Sequence, residues 1–315
     1  MIGWHFDILP GEHIYSCLGR YFWLCGMLRP EQFLQKFNLS EQYLKPQLAY
    51  NQDVAKVIKN FLKPLLSTNA IESHVPSCAW SLIIDKSLYC KLNEKLIKGS
   101  IKSNLHKADQ HSINFNRSWR ACDECIKENI SKFGISYWHM QHQLPGTIFC
   151  HQHKTILRTP ELPAPFLREL LLPHQIFDWN DVVINPDNSI VDWGKFVDSV
   201  YSHLVKDPLF AYDLKHVFFD IIVKPSKISK KYWIKKQEII FEDKLGDKLL
   251  NLLFSNYSVT SNKNKENILA STLSTTNGNS SGFKNPIYWL ALLYWQKDEL
   301  LKRGYDLHGK TPYII

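Results

Sequence analysis

Four residues near the middle of the chain have the types and the spacing to hold a metal ion. Cys122 and Cys125 form a C-x-x-C pair, and after 24 residues Cys150 and His153 repeat that spacing as C-x-x-H. A turn of this length can point both of its ligands at one ion, and the second turn completes the set. Three thiolates and one imidazole suit Zn2+, which structural sites hold tetrahedrally at zinc–sulfur distances of about 2.3 Å. With four protein ligands no position is left for water. The spacing therefore predicts one structural zinc ion and no chemistry performed on it. His151 competes for the fourth place, but it follows Cys150 directly, where the turn aims it away. A redox use of Cys122–Cys125 would need a thioredoxin-like βαβ context, which the sequence lacks. Cys17, Cys25, Cys78 and Cys90 have no partner at ligand spacing. Cys17 and Cys25 lie in an apolar helical stretch and read as small core residues.

The second chemistry is cationic. Lys224, Lys227, Lys230, Lys231, Lys235 and Lys236 fall within thirteen residues that contain no acid and enclose Tyr232 and Trp233. Lysines there can neutralise phosphates, positioning DNA more than reading its sequence. A solvated loop face is an equal reading. Arg117 and Arg120, before the first cysteine pair, and Lys127 and Lys132, after it, form a second set of DNA-contact candidates. His139 and His142 read as packed residues inside the metal module. No H-E-x-x-H and no phosphate-binding G-x-x-x-x-G-K-[ST] loop is present, and Ala121 stands where a zinc deaminase would carry proline. The sequence therefore predicts a binding protein and not an enzyme.

The elements that must position these groups are mostly helices. Residues 12–27 repeat apolar side chains at Ile14, Leu18, Phe22 and Cys25, with Gly26 as a stop. Pro30 opens a short second helix through Phe33, Leu34 and Phe37, making a helix-turn-helix-like pair; a plain helical hairpin fits equally. Ser40 is a candidate cap for the next helical stretch. Stripes at 51–66, 86–98, 192–205 and 208–223 read as helices, and a last helix runs from Pro286 to Arg303. Residues 159–190 are proline-rich and read as a long connection. The fold class is thus mainly α: a helical protein with an N-terminal helix-turn-helix-like region and one embedded CxxC…CxxH zinc-finger module. The divisions are 1–116 (N-terminal helical region), 117–157 (zinc-binding module), 158–257 (helical region with the basic segment), 258–283 (a polar Ser/Asn/Thr-rich flexible loop) and 284–315 (C-terminal helix).

Composition sets the frame for partners. The 315 residues are 44% hydrophobic and 13% aromatic, enough for a sizeable core, and the net charge of +8 favours a polyanionic partner. The longest apolar run, Pro286 to Trp295, is too short to span a bilayer. No secretory signal opens the chain, and a soluble, cytoplasmic protein with reduced cysteines is expected.

Two blocks carry a family resemblance. LPGEHIYSCLGRYFWLCGM resembles the N-terminal motif of the TniQ/TnsD family of transposon target-selection proteins, through Pro10, Gly11, Glu12, Ser16 and Arg20. CDECIKENISKFGISYWHMQHQLPGTIFCHQHKTIL resembles that family's zinc module: Cys122 and Cys125, then Phe133-Gly134, Tyr137-Trp138-His139, Leu144-Pro145-Gly146, and Cys150 with His153. The blocks cover about a fifth of the chain in family order. The resemblance implies a non-enzymatic adaptor that marks a DNA target, directly or by riding on an RNA-guided CRISPR effector complex. Such an adaptor recruits a TnsC-like AAA+ ATPase regulator. Its expected partners are double-stranded DNA, that ATPase and the CRISPR effector, with a homodimer also open and no membrane. A second zinc knuckle found in some relatives is missing here, and relatives that read an attachment site directly extend well beyond 315 residues. A zinc-containing DNA-binding transcription regulator is the alternative reading.

Overall fold

The computed structural model describes residues 7–40, 44–62, 73–101, 118–161, 169–223, 227–254, 269 and 285–309. Of the expectations above, Arg117, Lys224 and the polar segment 258–283, apart from Leu269, lie outside these residues.

Twelve helices carry the described fold: α1 (Ile14–Leu24), α2 (Pro30–Lys36), α3 (Gln52–Val57), α4 (Ser77–Trp80), α5 (Lys86–Ile97), α6 (Asp123–Phe133), α7 (Asn188–Leu204), α8 (Phe210–Ile221), α9 (Lys230–Leu245), α10 (Asp247–Leu253), α11 (Pro286–Trp295) and α12 (Lys297–Lys302). A π-helical turn, Ile58–Leu62, continues α3. One antiparallel pair, β1 (Arg158–Pro160) and β2 (Trp179–Asp181), aligns Thr159 with Asn180.

Local chemistry explains the helix starts. Asp85, Asp187, Ser229 and Asn285 each accept a backbone N–H of the following first turn, which satisfies donors a helix cannot pair internally. α3 is capped by Asn51 rather than by Ser40. Ser40 instead donates its backbone N–H to Asp53. α1 ends at Gly26, whose φ of +63° suits glycine, and Phe22 meets Phe33 of α2 edge-on at 5.3 Å. From Lys230 onward the basic segment is helical: capped by Ser229, it forms the first half of α9. The last helix is broken at Gln296 into α11 and α12.

Among the described residues packing produces two large hydrophobic cores and a small cluster of Cys122, Cys125, Cys150 and Leu157. The N-terminal one gathers Phe22, Phe33, Tyr50, Trp119 and Trp138. The C-terminal one gathers Trp193, Phe196, Phe218, Phe241 and all of α11, every residue of which is buried. No helix among the described residues is long and apolar enough to cross a membrane. Residues 118–157 are shared out between the cores: Trp119 and Trp138 enter the first, and Met140, Leu144, Ile148 and Phe149 enter the second.

Candidate metal centre

The first pair of ligands sits at a helix start. Cys122 is the residue before α6 and Cys125 lies in its first turn, where unpaired N–H groups and the helix dipole favour thiolates. Gly134, at φ +72°, ends that helix. The second pair sits in a tight hairpin. Phe149 faces Ile156 across it, the Cys150 N–H donates to the Thr155 carbonyl at 2.8 Å, and Lys154, at φ +58°, turns the chain back.

The hairpin and the helix start meet so that the four ligand atoms lie within 4.8 Å of one another. His153 Nδ1 is 3.5, 3.3 and 3.6 Å from the sulfurs of Cys122, Cys125 and Cys150, and Cys125 Sγ is 3.6 Å from Cys150 Sγ. A tetrahedral ion with bonds of about 2.0–2.3 Å has ligand–ligand edges of about 3.5–3.8 Å, so the spacing fits one such ion. The electrostatics of the cluster are in keeping with a cation. Hydrogen bonds from Cys125 and Cys150 pull the Cys122 thiol well down. The same contacts with Cys122 push Cys125 up, and Cys150 up to about 11. Without a cation one thiol ionises at the expense of its neighbours; three thiolates this close need a divalent ion between them.

Outer partners fix the set. His153 Nε2 is 2.9 Å from Glu128 Oε1, one turn beyond Cys125, so the carboxylate holds the tautomer that leaves Nδ1 for the metal. Thr155 Oγ1 lies 3.3 Å from Cys122 Sγ, and His142 Nε2 lies 3.4 Å from Cys150 Sγ. Burial drives His142 well below its usual pKa, so the ring beside that sulfur is neutral. None of these three was singled out as a partner from the sequence. Glu128 alone left a signal there, its spacing of three from Cys125. His151 turns outward to Asp198 of α7, as its position next to Cys150 suggested. Its neighbour Lys154 reaches the same carboxylate at 2.6 Å.

The module is joined to the N-terminal motif by backbone. The Met140 N–H donates to Gly11 O at 2.8 Å, and the His13 N–H to Trp138 O at 2.7 Å. Ser16 Oγ accepts the Trp138 N–H at 2.9 Å, and the Tyr137 hydroxyl donates to Pro10 O at 2.9 Å. Glu12, fully buried, takes a two-pronged contact from Arg20 at 2.7 and 2.8 Å. Burial raises the Glu12 pKa, and the Arg20 hydrogen bonds and charge draw it back. The chain returns to the metal through His139 Nε2, 2.8 Å from Asn129 Nδ2 on α6.

The Leu144–Thr147 loop makes the opposite joint, to the C-terminal core. Pro145 O accepts the Tyr201 hydroxyl at 2.8 Å and Gly146 O accepts Trp193 Nε1 at 2.9 Å. Leu144 O and Thr147 O each accept from Arg120 at 3.0 Å. Arg120 is completely buried, with its pKa pulled down to about 10 by burial. That corrects its reading as a DNA contact: a side chain spent on carbonyls inside the protein offers no charge to a phosphate. Lys127 is exposed and paired with Glu124 at 2.7 Å, and Lys132 is exposed over the Phe133 ring. On α9, Lys231, Lys235 and Lys236 are exposed, as is Lys227 just before it; Lys230 opens the helix. The structure does not bring the lysines of α9 together with the metal module as one site.

No curated protein matches the chain. Residues 4–157 match the family model TniQ, a span that starts just ahead of the Pro10 turn and closes four residues past the fourth ligand, and over this segment, just under half of the chain, the protein is similar to the TniQ family.

Proposed function

We propose that the protein is a non-catalytic adaptor that selects the target site for DNA transposition. In this reading it binds duplex DNA, directly or through an RNA-guided CRISPR effector complex, and recruits a AAA+ ATPase regulator in the cytoplasm. The metal it holds is one structural zinc ion. The observation that carries the reading is the joint between the two blocks: the Pro10–Arg20 motif pairs by backbone with Trp138 and Met140 inside the metal module. The TniQ match covers both blocks, so they act as one recognition unit whose shape the metal maintains. Zinc fits because three sulfurs and a nitrogen at tetrahedral spacing are its preferred closed set. An adaptor needs surfaces and no reacting group, in keeping with side chains here committed to structure. DNA contact is assigned to exposed lysines, Lys227, Lys231, Lys235 and Lys236 foremost, since each phosphate they neutralise makes affinity fall with salt.

The test is reconstituted transposition with a AAA+ regulator and a transposase. Insertions clustered at one site with the protein, and scattered or absent without it, support the adaptor. Insertion positions indifferent to its presence defeat the reading.

A further inference from the structure

α7 meets the metal module at two fixed points. Phe149 lies so close to Gly194 that a Cβ added there would fall 2.3 Å from its ring, and further along the helix the Tyr201 hydroxyl donates to Pro145 O at 2.8 Å. From Gly194 to Tyr201 the helix rises about 10 Å. Along this stretch opens a cavity of about 340 Å³, at the lower end of the range that holds small-molecule ligands, about 300–1,000 Å³. Helical spacing turns one face of α7 toward it: Gly194, Val197, Asp198, Tyr201 and Ser202, with Val205 just beyond the helix end. The wall between Gln141 and His151 lies within the stretch that matches TniQ, and the wall on α7 lies outside it.

The lining divides by depth. Leu144, Ile148, Phe149, Val197 and Tyr201 are buried and make an apolar wall, against which an apolar body sheds its water. At the rim most polar groups are committed. Ser202 Oγ donates to Asp198 O at 2.7 Å, one turn back on its own helix. Asp198, the one acid among the described lining residues, is held by His151 and by Lys154, the latter at 2.6 Å. Lys206 is different: it lines the cavity, is exposed, and has no ion pair among the described residues. The charge left uncompensated at the rim is therefore cationic.

We infer that this cavity binds a small organic acid: an apolar body, aromatic or branched, bearing one carboxylate. The body lies against Ile148, Phe149 and Val197, and the carboxylate meets the Lys206 ammonium. Apolar burial supplies most of the affinity and the single charge fixes orientation. The consequence falls on the metal hairpin, because Phe149 and His151, the residues on either side of Cys150, both belong to the lining. A bound acid ties that hairpin to α7. The inference goes beyond the target-selection reading and does not rest on it, because the variants that test it leave the metal ligands, the N-terminal motif and the lysines of α9 untouched.

The experiment is a ligand-observed NMR titration of the full chain, with zinc supplied, against indole-3-acetate, against tryptamine, which carries an ammonium on the same ring system, and against acetate. Indole-3-acetate is expected to saturate and to bind about fivefold tighter than tryptamine, while acetate does not saturate. In Lys206→Gln the two indoles should differ by less than about twofold. Ser202→Trp, at a half-buried rim position, should weaken both by about tenfold or more, and Val205→Trp blocks the same cavity from a second position should the first variant melt early. Hydrogen exchange should slow over residues 147–151 and 194–206 when indole-3-acetate is added. Absence of saturable indole-3-acetate binding, equal binding of tryptamine, a preference that survives Lys206→Gln, or binding unaltered by both blocking variants would each overturn the proposal. So would a peptide ending in Gly-Gly-Trp that binds about tenfold tighter than the free acid, since the occupant would then be a protein terminus.

Discussion

At the scale of single residues, the metal ligands make the sharpest prediction. Cys122→Ser or His153→Ala removes one corner of the set, and elemental analysis is expected to fall from about one zinc per chain to nearly none. Retained metal with unchanged melting in both variants would refute the site. Glu128→Gln keeps the ligands and removes only the outer carboxylate, so metal affinity should drop by about 10–100-fold while the fold persists. His13 gives a pH prediction. It is fully buried, its Nδ1 accepts the Tyr15 N–H at 3.2 Å as the cap of α1, and its Nε2 lies 2.9 Å from Pro46 O. Burial lowers its pKa to about 3. The unfolded chain therefore binds a proton below about 6.5 that the folded chain refuses until about 3. Stability should fall with pH through that window, by about 1.4 kcal/mol per unit from this group at full effect. Urea titrations from pH 7 to 4 check it, and His13→Asn should flatten the slope. The ligands were legible in the sequence because metal spacing is local. Thr155 and His142 were not, because only the folded hairpin brings them to the sulfurs. Arg120 misled for a similar reason: a cation beside a cysteine pair reads as surface until burial is known.

At the scale of elements, the joints between the module and its neighbours are the vulnerable places. Gly146 adopts φ +78°, and a Cβ there would come within 3.1 Å of Trp193 and 3.3 Å of Leu290. Gly146→Ala should cost at least about 1 kcal/mol from the backbone conformation alone. Gly194 is tighter in space, with an added Cβ 2.3 Å from the Phe149 ring. Arg120→Ala leaves two buried carbonyls unpaired and a hole, a loss of about 2–5 kcal/mol. Chemical denaturation with unchanged metal content would separate these effects from ligand loss. Most helices were legible from apolar periodicity, because their buried faces are one-sided. The start of α3 was not, since Ser40 and Asn51 are both good caps and only tertiary contact with Asp53 decides between them. α9 escaped notice because its apolar residues do not segregate to one side: Tyr232, Ile239 and Ile240 all face outward.

At the scale of the molecule, the metal module is the piece on which both cores close. Trp138 belongs to one core and Met140, two residues later, to the other. Chelation should therefore loosen more than the four ligands. Hydrogen exchange is expected to rise over residues 118–157 and, through the lost pairing with Trp138 and Met140, over residues 7–24. α11, enclosed on every side, should stay protected. A rise confined to residues 122–153 would show that the joint holds without metal. The pairing between Gly11 and Met140 also bears on how the protein is made. The turn that leads into α1 cannot be completed when it leaves the ribosome, because residues 138–140, which pair with it, are synthesised more than a hundred residues later, and two of the four ligands, Cys150 and His153, emerge later still. The N-terminal motif is expected to wait, incomplete, until the middle of the chain has folded. A chain deprived of its metal ion is expected to leave its beginning and middle unjoined.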